Sequence, residues 1–328
     1  MNALLCTALE GPGALRWTAV ATPALAPDEL RVRVRAAGVN FGDVLLTRGG
    51  YQIRPPLPLV PGMEIAGEVL EAGDAVRGFT RGDRVAAVLP GFGGFAEHVT
   101  VRAEHAFPCD ARLPFEVAAC IPSVYGTAWY ALTTLAALRA GETVLVLGAA
   151  GGVGSAAIRL AKTLGATVIA AAGDASRAAF AARTGADHVI DCGSTDLREA
   201  LRAITAGHGG VDVTIDPVGG AASEAALRSL AWGGRHLVVG FASGTIPAIA
   251  ANLVLLKGAA LIGVNFGGYS TRFPEAAIAI YRRLVEMLAD DHSLWPPQLE
   301  CLPMSLGAEA LRRLEAREVL GKLVLTNP

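Results

Sequence analysis

The stretch Thr143–Gly173, TVLVLGAAGGVGSAAIRLAKTLGATVIAAAG, constrains the fold more than any other. The run Val144–Leu147 is too short for a helix and is bounded by Gly148, so it reads as a buried parallel strand. A glycine-dense turn, Gly148 to Gly154, follows. Val153, Ala157, Leu160 and Leu164 then recur at helical spacing until Gly165, and Thr167–Ala171 is a second apolar run. Strand, glycine turn, helix and strand together make one dinucleotide-binding unit. Bare backbone at Gly151, Gly152 and Gly154, with Val153 between, lets a pyrophosphate approach the helix N-terminus, where unpaired N–H groups favour an anion.

The glycine pattern departs from a strict G-x-G-x-x-G, because Ala149 stands where the first glycine of Ala149-x-Gly151-x-x-Gly154 would be. Ser155 rather than lysine follows Gly154, which excludes a Walker-type loop. Glycines also serve tight turns and close helix–strand packing, and it is the flanking strands and helix that favour nucleotide binding over a purely structural turn.

At 328 residues the chain exceeds one ordinary domain and calls for two. With 52% hydrophobic and 18% charged residues it can build large cores. Net charge is −2, lysine occurs only at 162, 257 and 322, and no basic tract exists, which argues against a nucleic-acid partner. The five cysteines are scattered and never form C-x-x-C, fitting free thiols in a reducing compartment and no structural zinc. The N-terminus carries no signal-like run. The uncharged stretch Val117–Leu138 contains Pro122, Gly126 and several hydroxyl residues, so a buried loop and core helix is expected there rather than a membrane span. A soluble, cytoplasmic protein is the expectation.

Residues 1 to 122 read as mostly β. Glu29–Arg35 alternates strictly, and short β-rich runs at 65–70, 84–88 and 96–101 are separated by turn signals, which predicts a compact barrel-like domain. From 123 to 264, strands expected at 143–147, 167–171, 187–190, 211–216, 234–240 and 259–264 alternate with helices, an α/β doubly wound parallel sheet. Helices at 274–288 and 308–317 and a strand at 322–326 complete the chain.

The chain resembles the zinc-independent quinone oxidoreductase (zeta-crystallin-like) branch of the medium-chain dehydrogenase/reductase superfamily over essentially its whole length. The resemblance rests on Ala37–Asp43 (AGVNFGD), Leu59–Glu64 (LVPGME), the turn Gly148–Gly154, Gly185–Ile190 (GADHVI), Asp216–Gly220 (DPVGG) and Gly321-Lys322. It implies a GroES-like catalytic domain of residues 1–122 plus 265–328, with a Rossmann domain of residues 123–264 inserted. Zinc enzymes of the superfamily carry a cysteine ligand near Asn40–Asp43 and a histidine after Pro61-Gly62. Here no cysteine lies between Cys6 and Cys109, and Met63 holds the histidine position. A metal site is therefore not expected.

Without a Lewis acid, an electron-poor acceptor, a quinone or an activated alkene, is easier to reduce than an alcohol is to oxidise, and the protein mainly positions the reactants. The resemblance implies that Asn40 and Tyr51 line the acceptor pocket, Asn40 by hydrogen bonding and Tyr51 as stacking surface or proton donor. Locally, Asn40 and Asp43 equally fit the cap of a helix starting near Phe41, and Tyr51 fits a turn. NAD-specific sites place an acid about 20 residues past the glycine turn. Ala172 and Gly173 stand there instead, with Arg177 where NADPH-using relatives have a base for the 2′-phosphate. NADPH is the expected cofactor, although Asp174 would repel that phosphate if it pointed inward and Arg177 could be a solvated helix residue. By resemblance Tyr125 and Thr127 flank the nicotinamide, Phe241, Ser243, Asn265 and Phe266 line the cofactor site, and Lys322 reaches it. The apolar segment 259–266 would pair with its copy to give a homodimer. An enoyl or alkenal reductase, and a non-catalytic dinucleotide-binding sensor, remain alternatives.

Overall fold

The chain opens with an antiparallel pair, β1 (Asn2–Leu5) and β2 (Arg16–Ala19). Alternation then makes Glu29–Gly38 (β3) a strand with one buried face: Leu30, Val32 and Val34 are fully buried while Arg33 is exposed. Helix α1 (Phe41–Thr47) and strands β4 (Glu64–Ala72), β5 (Arg84–Val88), β6 (His98–Arg102) and β7 (Ala106–Pro108) follow. The computed structural model describes residues 1–328. They form two compact units, 1–126 with 267–328, and 127–266.

The uncharged stretch is buried, as its composition requires, but it is broken helix rather than one rod. It runs through α2 (Phe115–Ala118), a π-helical turn at Ile121–Tyr125, α3 (Gly126–Trp129) and a second π-helical turn at Tyr130–Leu135. Pro122 lacks the N–H that a regular α-turn would use there. No helix of the protein is long and apolar enough to cross a membrane.

The second unit is a six-stranded, all-parallel sheet. Its elements in chain order are β8 (Thr143–Leu147), α4 (Gly152–Thr163), β9 (Thr167–Ala172), α5 (Ala175–Thr184), β10 (His188–Asp191), α6 (Leu197–Ile204), β11 (Val211–Asp216), α7 (Gly220–Arg228), β12 (Leu230–Val238), α8 (Ala251–Lys257) and β13 (Ala260–Gly263). The strand order β10-β9-β8-β11-β12-β13 reverses direction of winding between β8 and β11, beside the glycine turn. Strand β12 starts at Leu230, four residues before the expected 234, because a register shift between Val211 and Val213 absorbs Gly233-Gly234 into the strand.

In the first unit the tail adds α9 (Phe266–Arg272, whose first residue belongs to the second unit), α10 (Pro274–Asp290), β14 (Leu299–Pro303), α11 (Gly307–Glu315) and β15 (Lys322–Thr326). Strand β15 pairs antiparallel with the end of β3, Val324 opposite Gly38, so the last strand of the chain enters the sheet built by the first hundred residues.

The glycine turn is set by close approach. A Cβ at 154 would lie 2.4 Å from the Gly148 carbonyl oxygen, whereas one at 151 would meet that oxygen at 3.4 Å, an ordinary contact. Gly154→Ala is therefore expected to destabilise by about 1–3 kcal/mol through overpacking, and Gly151→Ala by no more than about 0.5 kcal/mol. Denaturant titration of the two variants followed by circular dichroism checks this; equal effects would contradict it.

Candidate active site

In the second unit, the turn leads from the end of β8 into α4. Gly148 takes φ +59, and Gly151 N–H closes the turn on the Gly148 carbonyl at 3.0 Å. By helix geometry the first N–H groups of α4, at Gly152, Val153 and Gly154, have no intrahelical acceptor. They form an anion cradle at a helix end, and the bare backbone at Gly151 leaves room for a phosphate. The residues present thus fit a dinucleotide.

Strand β9 ends in Ala172 and is followed by Gly173, beside which a Cβ would meet nothing within 4 Å. The nearest acid, Asp174, is the N-cap of α5. It accepts from the Arg177 backbone N–H at 2.9 Å, and its other oxygen pairs with the Arg177 guanidinium. These contacts, the backbone hydrogen bond foremost, hold its carboxyl below the usual range. The acid at the strand end is therefore oriented by a helix cap and neutralised by the one base nearby.

The loop after β11 is anchored by Asp216, one of the motif residues. Its Oδ1 accepts from the Val218 and Gly219 N–H groups, each at 2.9 Å, and its Oδ2 from the Ser223 hydroxyl and from His236 Nε2 at 3.1 Å. Burial opposes the Asp216 charge, but these bonds outweigh it and keep the carboxyl below its usual range. Ala242 and Ser243 hang from this loop through N–H bonds to Pro217 and Val218 carbonyls, with Phe241 half exposed beside them. Asn265 is exposed after β13. Phe266 is buried with its ring 5.2 Å from Tyr130, and Thr127 is half-buried. The sequence showed Asp216 as a marker but gave no sign that His236, on the neighbouring strand, would meet it.

In the first unit, Asn40 precedes α1, and the cap expected from the i, i+3 spacing is formed by Asp43, whose Oδ2 accepts from Asn40 N–H at 2.9 Å. Asp43 Oδ1 accepts from Gly62 N–H at 3.0 Å, tying α1 to the Pro61-Gly62 turn. The Asn40 side chain faces elsewhere. Its Nδ2 donates to Glu64 Oε1 at 2.8 Å, and its Oδ1 accepts from Lys322 Nζ at 2.7 Å. Lys322, at the start of β15, is buried (3% exposed) and also donates to Glu64 Oε1 at 2.8 Å and the Val39 carbonyl at 3.1 Å. All three ammonium protons are thus taken up by Val39, Asn40 and Glu64. Glu64, fully buried, takes the Ser123 N–H on its other oxygen at 2.8 Å. Tyr125 is also buried, its hydroxyl donating to the Leu294 carbonyl at 2.6 Å.

Tyr51 lies beyond the Gly49-Gly50 turn, half-buried, with its ring 6.1 Å from Phe92 in an edge-to-face arrangement. A Cβ on Gly42 would come within 3.2 Å of the Tyr51 ring and 2.9 Å of Met63 Cε, so both side chains lie over bare backbone of α1. Burial, and then the Asp43 charge, push the Tyr51 phenol up, which keeps it protonated. No group of three or more His, Cys, Asp or Glu side chains converges anywhere in the chain.

Two family models match the chain: "Alcohol dehydrogenase GroES-like domain" over residues 26–111 and "Zinc-binding dehydrogenase" over residues 152–282. A Bos taurus protein called quinone oxidoreductase-like protein 2 is 38% identical over 327 residues, covering 99% of this chain and 92% of the bovine one. Among solved structures, the Escherichia coli quinone oxidoreductase complexed with NADPH superposes with a TM-score of 0.92 at 28% identity, covering 100% of both chains. The Pseudomonas syringae quinone oxidoreductase gives 0.93 at 29%, covering 99% of each. The chain belongs to the zinc-independent quinone oxidoreductase branch of the medium-chain dehydrogenase/reductase superfamily.

Two outcomes are expected of the buried charges. Lys322→Met leaves the Glu64 carboxylate buried without its cation and should cost about 3–5 kcal/mol, while the double change Lys322→Met, Glu64→Gln recovers most of that loss; thermal and denaturant midpoints of the two variants and the unchanged chain test it. Asp43 has its carboxyl raised from 3.8 to about 7, first by burial, against the two backbone hydrogen bonds. Between those values the folded chain holds a proton the unfolded chain has lost. The associated stability is full below pH 3.8 and falls as pH rises through about 7. Asp43→Asn should flatten that decline, which at most reaches about 1.4 kcal/mol per pH unit, in unfolding curves collected from pH 4 to pH 8.

Proposed function

We propose that the chain is an NADPH-dependent oxidoreductase that reduces quinones or similar electron-poor acceptors by hydride transfer, without zinc. The observation that carries the nucleotide assignment is the end of β9. A ribose diol wants a free carboxylate there, but Asp174 is committed to capping α5 and to Arg177, and Asp191, opposite Ala172 at the end of β10, accepts from the Gly193 N–H and the Ser194 hydroxyl. Arg177 supplies the base that a 2′-phosphate needs. The residues for the cofactor are Gly151, Gly152, Val153 and Gly154 around the pyrophosphate, Gly173 and Arg177 at the ribose phosphate, and Thr127, Phe241, Ser243, Asn265 and Phe266 along the remainder. The NADPH-complexed E. coli enzyme of the same fold supports the same cofactor.

NADPH supplies a hydride when bound; the chain's own residues orient the acceptor and exclude water. Tyr51, over the bare backbone of Gly42 with Met63 beside it, offers an aromatic and apolar wall suited to a planar acceptor. Asn40 is held rigid by Lys322 and Glu64 and keeps the polar edge of that wall fixed. Met63 where a metal enzyme has histidine, and the missing cysteine near Asn40, support catalysis without a metal. The Tyr51 hydroxyl, which no hydrogen bond within the protein engages, supports one second reading, reduction of an activated alkene with Tyr51 protonating the α carbon. The outer edge of β13, with Leu261 exposed, supports pairing of two copies into a homodimer. The reducing compartment implied by the free cysteines supports a cytoplasmic location.

The test is nicotinamide oxidation by purified protein with a quinone and with an α,β-unsaturated ketone, with and without a metal chelator. NADPH turnover with the quinone that survives chelation and changes little in Tyr51→Phe is the expected outcome. Arg177→Ala should raise the KM for NADPH about 10-fold, equivalent to one charge-assisted hydrogen bond, and leave that for NADH alone. Turnover only with the enone, collapsing in Tyr51→Phe, would move the assignment to an alkene reductase. Tight NADPH binding without turnover of either acceptor would favour a sensor, and failure to bind either nucleotide would end the proposal. Light scattering on the same sample should give twice the 33.7 kDa chain mass.

A further inference from the structure

We propose that Phe92 is a positioning residue for Tyr51 and, through it, a determinant of which acceptors are taken; this rests on Tyr51 facing the acceptor. Phe92 adopts φ +63, a left-handed conformation in which a bulky side chain is a genuine outlier. It does so inside Gly91-Phe92-Gly93-Gly94-Phe95, where glycine stands at three of five positions and would suit the left-handed one without steric cost. The backbone there does not depend on the ring. Phe92 N–H bonds to the Leu89 carbonyl at 3.0 Å, Gly93 N–H to Val60 at 2.9 Å, Gly94 N–H to Gly62 at 3.1 Å and Phe95 N–H to Pro61 at 2.9 Å. A segment fixed by its own hydrogen bonds, with the strained position given to phenylalanine, implies that the ring itself is used.

What the ring touches indicates the use. Phe92 is 7% exposed and packs with the core of the first unit, so it is poorly placed to meet an acceptor directly. Its aromatic partner is Tyr51, edge-to-face at 6.1 Å and 78°. Tyr51 stands outside any helix or strand, just after two glycines, and no hydrogen bond within the protein fixes its hydroxyl. The ring is located by packing alone: the bare backbone of Gly42, Met63 near it, and Phe92. A phenol placed this way keeps its hydroxyl free for the acceptor while Phe92 sets where its ring lies.

A double-mutant cycle on acceptor kinetics at saturating NADPH tests this, using Tyr51→Ala, Phe92→Leu and the pair, with Phe92→Tyr as the conservative variant. Phe92→Leu should raise the acceptor KM roughly 2- to 10-fold, the range an edge-to-face pair corresponds to, with the KM for NADPH unchanged. In the Tyr51→Ala background the same change should cost less than about twofold, because coupled residues are non-additive. Phe92→Tyr, which keeps the ring, should restore the original KM. Equal costs of Phe92→Leu in both backgrounds, or no cost in either, would overturn the proposal while leaving the role of Tyr51 intact. A Tyr51→Ala chain with unaltered acceptor KM would instead overturn the reading of Tyr51 and this inference with it. Should Phe92→Leu fold poorly or turnover be absent, 3-fluorotyrosine incorporated at all five tyrosines gives a second readout in the unchanged and Phe92→Met chains. The resonance assigned to Tyr51 by Tyr51→Phe should shift selectively on loss of the ring in Phe92→Met, and an unselective shift would also overturn the proposal.

Discussion

An ammonium and a carboxylate withdrawn from water persist only when their hydrogen-bonding capacity is met inside the protein. Lys322 and Glu64 satisfy that condition with residues drawn from remote parts of the chain: Val39 and Asn40 before α1, Ser123 in the π-helical turn, and Lys322 itself at the head of the last strand. The cluster sits where β15 enters the sheet against β3, so the register of the tail and the neutralisation of the buried charge require each other. It also dictates which way the Asn40 amide points. Turning the amide over would set its NH2 group against the ammonium and its oxygen against the carboxylate, two repulsions in place of two bonds. Asn40 is thereby a rigid element, and α1 begins from a residue that cannot rotate.

Gly62 extends the same constraint. Asp43 caps α1 with one oxygen and holds the Gly62 N–H with the other. The turn carrying Gly62 in turn accepts the N–H groups of Gly93, Gly94 and Phe95 on the carbonyls of residues 60–62. A chain of hydrogen bonds therefore runs from the buried ion pair through Asn40 and Asp43 to the glycine-rich segment that holds Phe92. Packing completes the path to Tyr51, the one side chain in the series whose hydroxyl is left unengaged.

The parts legible in the sequence were those coded locally. Period-two alternation marked β3, and apolar runs at regular separation marked the six strands of the parallel sheet, because each signal lies within about ten residues. The i, i+3 spacing of Asn40 and Asp43 likewise showed the helix start. Illegible were the contacts that depend on which distant segment arrives. Nothing near Lys322 says that its charge is buried, although a glutamate heading the apolar strand Glu64–Ala72 was a sign that a cation had to come from somewhere. Nor does the sequence show that Leu294 will meet the Tyr125 hydroxyl. The helix α9 was hidden in a stretch that opens on Gly267-Gly268, where propensity argues against helix and tertiary packing overrides it. The left-handed backbone at Phe92 has no sequence signature at all, since the neighbouring glycines were the residues expected to take it.

The electrostatics of the first unit bear on which acceptor the proposed chemistry suits. Lys322 and Glu64 cancel one another, and Asp43, with its carboxyl near 7, is neutral for a large part of the time at ordinary pH. The wall formed by Tyr51 and Met63 therefore presents neither a strong positive charge nor a metal-like centre to a developing anion. A hydride delivered there leaves negative charge that the acceptor itself must hold until a proton arrives. Tyr51 could give that proton, but its phenol is pushed up by burial and by Asp43, so it is a weaker acid than a free tyrosine. A weaker acid suits an acceptor that stabilises its own reduced anion by delocalisation over a ring, and suits less well one that needs prompt protonation at carbon. The same balance makes Asp43 more than a helix cap, because its protonation sets how far the Tyr51 phenol is displaced.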